Sequence, residues 1–340
     1  MNEGKKPGMM VGSERSSGSS SPQSTSRDML TRAVDLANHA PSLYNAQPWS
    51  WQVNDDGADL FMDAAQSFPT TDPDKREMRI GCGAALHHLQ VAVAASGWRC
   101  AVQRSSGLDD GLLASVRLVE RCDVDPHALR LVEAIPRRHT DRRPFSSERV
   151  SEQALAALQR SADDEGVHLQ IVTNDEHRIW LSILTERAAA LQSAQEGYPA
   201  ELAQVTGTPD DATHIPLDAV PHVVSPRHSD VTLRDFELVE PGTLVIAESA
   251  EEHPVWCIVW TDHDGQLEWL QAGEALSRLL LDATDRGLAS GIQSQPVEVA
   301  MIRDQINEHI LSSMGHAQVL VRIGFAGSQE SQPPRASLHG

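Results

Sequence analysis

Apolar positions along the chain alternate between helical and strand spacing. Over residues 27–39, Leu30, Val34 and Ala37 fall on one face, the pattern of an amphipathic helix. Pro41 ends it, and the chain continues as a loop to Trp49. Apolar or alternating runs predict strands at 49–53 and 59–63. A helix is predicted over 80–96, with Gly97 as its C-terminal stop. Strands near 98–103 and 113–119 follow, then a short helix near 126–134. Ser151 stands where it can cap the next helix, ahead of a strand at 167–172 and a long helix at about 174–196. Residues 197–240 are rich in Pro and His and poorly periodic. Strands at 243–248 and 255–261, helices at 267–286 and 300–313, and a strand at 317–325 complete the pattern. The order is that of an α+β fold, its elements interspersed rather than strictly alternating.

The stretch 80–98 contains no Asp, Glu, Lys or Arg. It is long enough for a membrane span, but His87, His88 and Gln90 lie near its middle, where hydrocarbon tolerates them poorly. A helix buried in a soluble protein fits better. A second segment resembles it. Sliding the chain by 190 residues superposes Gly83 on Gly273, Ala85 on Ala275, Leu86 on Leu276, Leu89 on Leu279 and Gly97 on Gly287. This predicts two copies of one fold in tandem, a fused pseudo-dimer whose charge-free helix packs across a pseudo-twofold axis.

Composition then narrows the function. With 28 Lys and Arg against 48 Asp and Glu, the net charge of −20 disfavours nucleic acid and anionic membrane surfaces as partners. The 340 residues suffice for two domains. Residues 1–25 hold seven Ser and four Gly and no aromatic residue, which predicts a disordered tail. No apolar run follows its lysines, so no secretory leader is expected. The four cysteines form no CxxC pair, which points away from zinc and disulfides and towards a cytoplasmic protein.

Familiar catalytic patterns are missing. Gly81 and Gly83 begin a GxGxxG that fails at Leu86, and no GxSxG, HExxH or Walker sequence occurs. His87 and His88 are adjacent on a helix and cannot chelate one ion from one face, and His214, His222 and His228 read as loop histidines. No metal site is expected. Two segments stand apart. Pro41–Trp49 (PSLYNAQPW) combines a hydroxyl, two side-chain amides, two prolines and a Trp, a set suited to holding a flat heteroaromatic ring as well as to an ordinary loop. Arg137–Arg143 (RRHTDRR) gathers four arginines and a His in an otherwise acidic chain, a local anion site with phosphate as the natural guest.

APSLYNAQPW resembles the S-x-x-N-x-Q-P-W segment of the FMN-dependent nitroreductases, and RHTDR resembles their short basic flavin-binding segment. GLASGIQSQPVE (287–298) and QVLVRIGFA…PPR (318–335) are similar to later segments of that family. The basic segment lies about ninety residues after the S-x-x-N loop, an order that resembles the fused two-half, Acg-like branch. The resemblance implies a nitroreductase-like fold with halves at 26–134 and 135–335; the length of 197–240 and its apolar residues Ile215, Leu217, Val220, Val223, Val224, Leu233 and Phe236 predict a lid-like insert. The resemblance also implies FMN as cofactor. Arg138, His139 and Thr140, joined by Arg335, would hold its phosphate, and Arg142 would sit at the pyrimidine edge. Pro41, Ser42, Asn45 and Gln47 come from the loop that meets the ring, and Pro296, Val297 and Glu298 would lie beside the hydride-accepting nitrogen. No side chain is implied as catalytic, since the flavin carries the chemistry. NADH or NADPH would be the reductant, and a nitroaromatic or quinone the acceptor. The alternative is a protein that binds or sequesters FMN without turnover. Each half carries only one half-motif, so one site per pseudo-dimeric chain is expected, with further association left open.

Overall fold

The computed structural model describes residues 22–105, 111–207, 215–216, 219–222, 231–234, 236, 244–245 and 252–327. The N-terminal part runs α1 (Pro22–Ala37), a 3-10 turn (Leu43–Asn45), β1 (Trp49–Val53), β2 (Gly57–Met62), α2 (Arg76–Ala95), β3 (Trp98–Arg104), β4 (Leu112–Arg121) and α3 (Pro126–Ala134). Next come α4 (Glu152–Asp163), β5 (His168–Val172), α5 (Asp175–Ser193) and α6 (Tyr198–Val205). Two-residue strands follow, β6 (Thr206–Gly207), β7 (Ile215–Pro216), β8 (Pro221–His222) and β9 (Leu244–Val245). The chain ends with β10 (Val255–Thr261), α7 (Gln266–Asp285), β11 (Ala289–Gln293), α8 (Gln295–Glu298), α9 (Ala300–His309) and β12 (His316–Gly324).

Two four-stranded sheets have the orders β1-β2-β4-β3 and β5-β10-β12-β11, with every neighbour antiparallel. The second order reproduces the first. In each, the long helix connects the second strand of the row to the strand at the far edge. The long helices match in position as well, since 266 − 76 and 285 − 95 both equal 190. Each is stopped by a glycine in the left-handed region, Gly97 at φ 73° and Gly287 at φ 76°.

The two helices pack against each other through their glycines. A Cβ on Gly83 would lie 1.9 Å from the carbonyl oxygen of Leu270, and one on Gly273 would lie 1.9 Å from that of Ile80. Ile80 and Leu270 are themselves 190 apart, so the two approaches are one contact seen from both sides of a pseudo-twofold. Helix α2 starts at Arg76, one turn before the expected 80, so it includes Arg76, Glu77 and Arg79, and its charge-free stretch from Ile80 on is buried against its own counterpart. His87 and His88 are buried here too, and both place Nδ1 within hydrogen-bond distance of Ser277 Oγ, at 2.7 and 2.8 Å. Ser277 occupies the position 190 residues after His87.

The first sheet buries Ala58, Leu60, Ala114 and Val116 against α1 and α2, and β3 alternates between half-buried and exposed residues. The second sheet is covered on both faces. Cys257, Val259, Val319 and Val321 face α4 and α7, whereas Trp256, Ile258 and Leu320 face α5 and α9. A strand covered on both sides has no solvent-facing side to alternate with, which explains why β12 is buried at every position from Ala317 to Gly324, its Gln318 and Arg322 included.

Several expectations need correction. Helix α1 begins at Pro22, inside the tail expected to be disordered to residue 25; proline suits the first turn, where its missing N–H costs nothing. The rest of that tail lies outside the described residues. The helix expected over 300–313 stops at His309. Residues 197–240 are not wholly irregular, since α6 lies within them, its Tyr198, Leu202 and Val205 buried with Tyr44 and Phe236. The short α8 was not expected as an element. No described helix is long and apolar enough to cross a membrane.

Candidate functional site

Between α1 and β1 the backbone turns through three left-handed positions that are not glycine, Tyr44 (φ 52°), Asn45 (φ 60°) and Gln47 (φ 49°). Each costs on the order of 1 kcal/mol or more and persists only where its surroundings hold it. Ser42 supplies the hold. Its Oγ accepts from the backbone N–H of Gln47 at 2.9 Å, and its carbonyl accepts from that of Asn45 at 3.1 Å. The short polar side chain of serine is what lets the turn close on itself.

The basic segment leaves α3 and lies along β11. Thr140 and Ser290 form an isolated parallel bridge, and Asp141 N–H donates to Ser290 O at 2.8 Å. Buried Arg322 of β12 donates to the carbonyls of Asp141 and Arg143, at 3.0 and 2.6 Å. Gly291 makes the approach possible, because a Cβ there would lie 2.9 Å from both Asp141 O and Arg322 Nε. The Asp141 carboxylate takes two bonds from the Arg143 guanidinium, at 2.9 and 2.6 Å. Burial would raise its pKa, but the bonds from His139 and Arg143 outweigh this and hold it well below the usual carboxylate range. Arg143 is thus bound to its neighbour. Arg142 instead lies 5.3 Å from the Phe236 ring centroid, with Nη1 3.5 Å from Ala219 O.

The two segments meet at a cavity of about 880 Å³, counting the space in its open mouth. Pro41–Tyr44 form part of its wall, with Glu77, Ile80 and Gly81 from the start of α2, Thr140–Arg142, and residues 291–294 around the end of β11. Ile215, Leu233, Arg234 and Phe236 from the 197–240 stretch close another side. Arg234 is tied down there. It donates to the hydroxyls of Tyr44 and Tyr198 and to the Glu298 carboxylate, the Arg234 and Glu298 side chains being 5% and 0% exposed.

The expected residues divide into two groups. Pro41, Ser42, Thr140 and Arg142 line the cavity, whereas Asn45, Gln47, Arg138, His139, Pro296, Val297 and Glu298 are not among its lining residues. Arg138 is buried and donates to His39 O over a long 3.4 Å. Val297 packs in the core with Leu181 and Ile302, and Glu298 is held by Arg234 and by Gln192 at 2.7 Å. Arg335, His214, His228, Leu217, Val223 and Val224 lie outside the described residues. Glu77, Arg234 and Gln293 reach the cavity without having been named for it. Of these, Gln293 lies inside the 287–298 segment that is similar to the family.

Glu77 is unusual among the lining groups. Burial pushes its carboxyl up to about 8 against the pull of Arg76, and the charges of Glu298 and Asp72 push in the same direction as burial. Arg76 is buried beside it and also donates to Gln318 O at 2.7 Å, Gln318 Oε1 at 3.0 Å and Val297 O at 3.0 Å.

No family model matches the chain. It is similar to "Putative NAD(P)H nitroreductase Rv3131" of Mycobacterium tuberculosis, with 32% identity over 304 residues, 89% of this chain and 85% of the relative. It is also similar to "Putative NAD(P)H nitroreductase acg" of the same organism, with 33% identity over 311 residues, 90% and 92% of the two chains. Among solved structures it is similar to a nitroreductase with bound FMN from Bacteroides fragilis. That match has a TM-score of 0.37 and 15% identity, and covers 62% of this chain and 97% of that one. Identity at about a third of positions over nine-tenths of the chain leaves no other assignment: the protein belongs to the nitroreductase family that contains Rv3131 and Acg.

Proposed function

We propose that this chain is an FMN-dependent NAD(P)H oxidoreductase that passes two electrons to a flat acceptor, a nitroaromatic or a quinone. The observation that carries the proposal is the meeting of the Pro41–Tyr44 loop with Thr140–Arg142 at one cavity. The residues there suit a flavin mononucleotide. Ile80, Leu276, Ile292 and Val319 offer apolar surface for a ring system, while Ser42, Thr140 and Gln293 offer neutral hydrogen-bonding groups and Arg142 a positive charge.

Bound FMN would supply hydride acceptance and donation. Around it, the strained Ser42–Gln47 turn fixes one wall, and the strapping of the basic segment to β11 by Arg322 fixes another. Arg142 supplies positive charge where the ring becomes anionic on reduction. The resemblance supports Arg138, His139, Thr140 and Arg335 as phosphate partners, and Pro41, Ser42 and Asn45, with Gln47 in the same loop, as flavin-binding residues. Gln293 and Ser294, directly ahead of Gln295 and Pro296, are the better placed neighbours of the ring edge, with Pro296, Val297 and Glu298 behind them. The chain divides at 134/135, consistent with the repeated strand order, and its halves together complete one site.

A second reading, FMN storage without turnover, is favoured by one observation. Arg234 bonds the covering stretch to Tyr44 at the cavity wall and to Glu298 behind it. Anaerobic spectroscopy separates the two readings. As an enzyme, the purified protein binds close to one FMN per chain, bleaches with NADPH and recolours with a quinone. As a store, it binds FMN but bleaches very slowly. No binding even with added FMN overturns both, and two FMN per chain overturn the single site.

A further inference from the structure

The first turn of α2 gathers charge against the cavity. Three carboxyl groups, Asp72, Glu77 and Glu298, lie within electrostatic reach of two guanidiniums, Arg76 and Arg234. The count leaves one negative charge in excess, and a buried patch removes such an excess by keeping a proton. The other charged groups at this cavity have partners of their own. Asp141 is bound by Arg143, and Arg322 stands 3.6 Å from Glu252. Tyr44 accepts from Arg234, and Arg142 rests over Phe236.

The donors decide which carboxyl keeps the proton. Asp72 accepts from the backbone N–H of Glu77 and of Met78, at 3.1 and 3.0 Å. Glu298 accepts from Arg234 and from Gln192. Glu77 accepts from Arg76, a guanidinium already divided among three other oxygens. Of the three carboxyls, Glu77 also is the one that lines the cavity.

We propose that Glu77 is a catalytic acid, holding one proton at the cavity wall and giving it to the oxygen of a quinone-class acceptor as that acceptor is reduced there. The proposal rests on the reading of the chain as an NAD(P)H oxidoreductase. NAD(P)H gives up a hydride, which supplies two electrons and one hydrogen. The O–H bond of Glu77 breaks, its electron pair stays on the carboxylate, and a new O–H bond forms on the acceptor. The sum is NAD(P)H + H⁺ + quinone → NAD(P)⁺ + hydroquinone, and Glu77 regains its proton from water at the open mouth. A carboxyl held near 8 keeps its proton at neutral pH yet releases it readily to a reduced quinone oxygen.

Glu77→Gln keeps the shape and removes the transferable proton. In flavin-free protein at neutral pH, the infrared spectrum of the wild type contains a protonated-carboxyl stretch that the variant lacks. In the wild type alone that band fades as pH rises through about 8, so the proton can be followed even if the variant does not fold. In FMN-loaded protein, the variant's quinone rate falls on the order of 100-fold relative to its own rate with ferricyanide, which takes electrons without a proton. Absence of the band, or an unchanged ratio of the two rates, overturns the proposal. A band in a protein that binds no FMN and oxidises no NAD(P)H instead overturns the oxidoreductase reading, and with it the acid role, while leaving the buried proton in place.

Discussion

Gly83 and Gly273 stand so close that a Cβ built on Gly83 would lie 3.0 Å from the Cα of Gly273. Elsewhere in a helix, Gly→Ala gains about 1 kcal/mol of helix propensity. Here the new methyl meets backbone carbonyl oxygen at 1.9 Å, and neither helix can move without disturbing both cores. Overpacking costs about 1–3 kcal/mol, and this contact is with backbone, so the cost exceeds the gain. Gly83→Ala and Gly273→Ala should therefore each lower the urea midpoint, by similar amounts. An unchanged or raised midpoint in either would contradict the helix contact.

Arg138 and Arg142 are expected to behave differently towards flavins. The bond of Arg138 to His39 O is long at 3.4 Å and can be exchanged for a phosphate oxygen. Arg138→Ala should weaken FMN relative to riboflavin by about 1.5–3 kcal/mol, the size of a charge-assisted hydrogen bond. Arg142→Ala should weaken both ligands alike. Fluorescence titration of the two flavins against each variant measures this, and equal losses in the Arg138 variant would remove it from the phosphate.

The Arg234–Glu298 pair is buried, so removing one partner leaves the other uncompensated. Arg234→Ala should cost about 3–5 kcal/mol, and Arg234→Met combined with Glu298→Leu should cost less than the single change. Denaturant unfolding of the three proteins gives the comparison. A single variant as stable as the wild type would mean that the insert is not anchored through this pair.

Glu77 predicts a pH dependence of known sign. Its folded pKa, about 8, lies above the unfolded value of about 4.3, so the folded state binds more protons between them. Stability from this group is full below about pH 4 and is lost as pH rises towards 8. Relative to Glu77→Gln, the wild type should lose stability across that window. A difference that stays flat with pH would place an ionised Glu77 in the folded protein.

The repeat was legible because its marks are backbone requirements. Gly97 and Gly287 occupy left-handed positions, and Gly83 and Gly273 permit a contact that other residues would block. The S-x-x-N loop and the basic segment were legible as motifs, yet the sequence could not say which of their side chains face inwards. Arg142 turns to the cavity because Asp141 binds Arg143 instead, a choice made by packing on β11. Glu77 was hidden for a similar reason. One glutamate at the start of a helix is ordinary, and its burial depends on Arg76, Glu298 and Asp72, which come together only in the fold. Strand β11 forms although ASGIQ is small and partly polar, because its neighbour β12 and the basic segment supply the pairing.

The pseudo-twofold has a consequence for dilution. A pocket shared between separate subunits comes apart when the protein is scarce, and its cofactor is then released. Here the loop carrying Ser42 and the segment carrying Arg142 belong to one covalent chain, at a fixed effective concentration for each other. Occupancy of the pocket should thus depend on the supply of ligand and not on how many copies of the protein a cell contains.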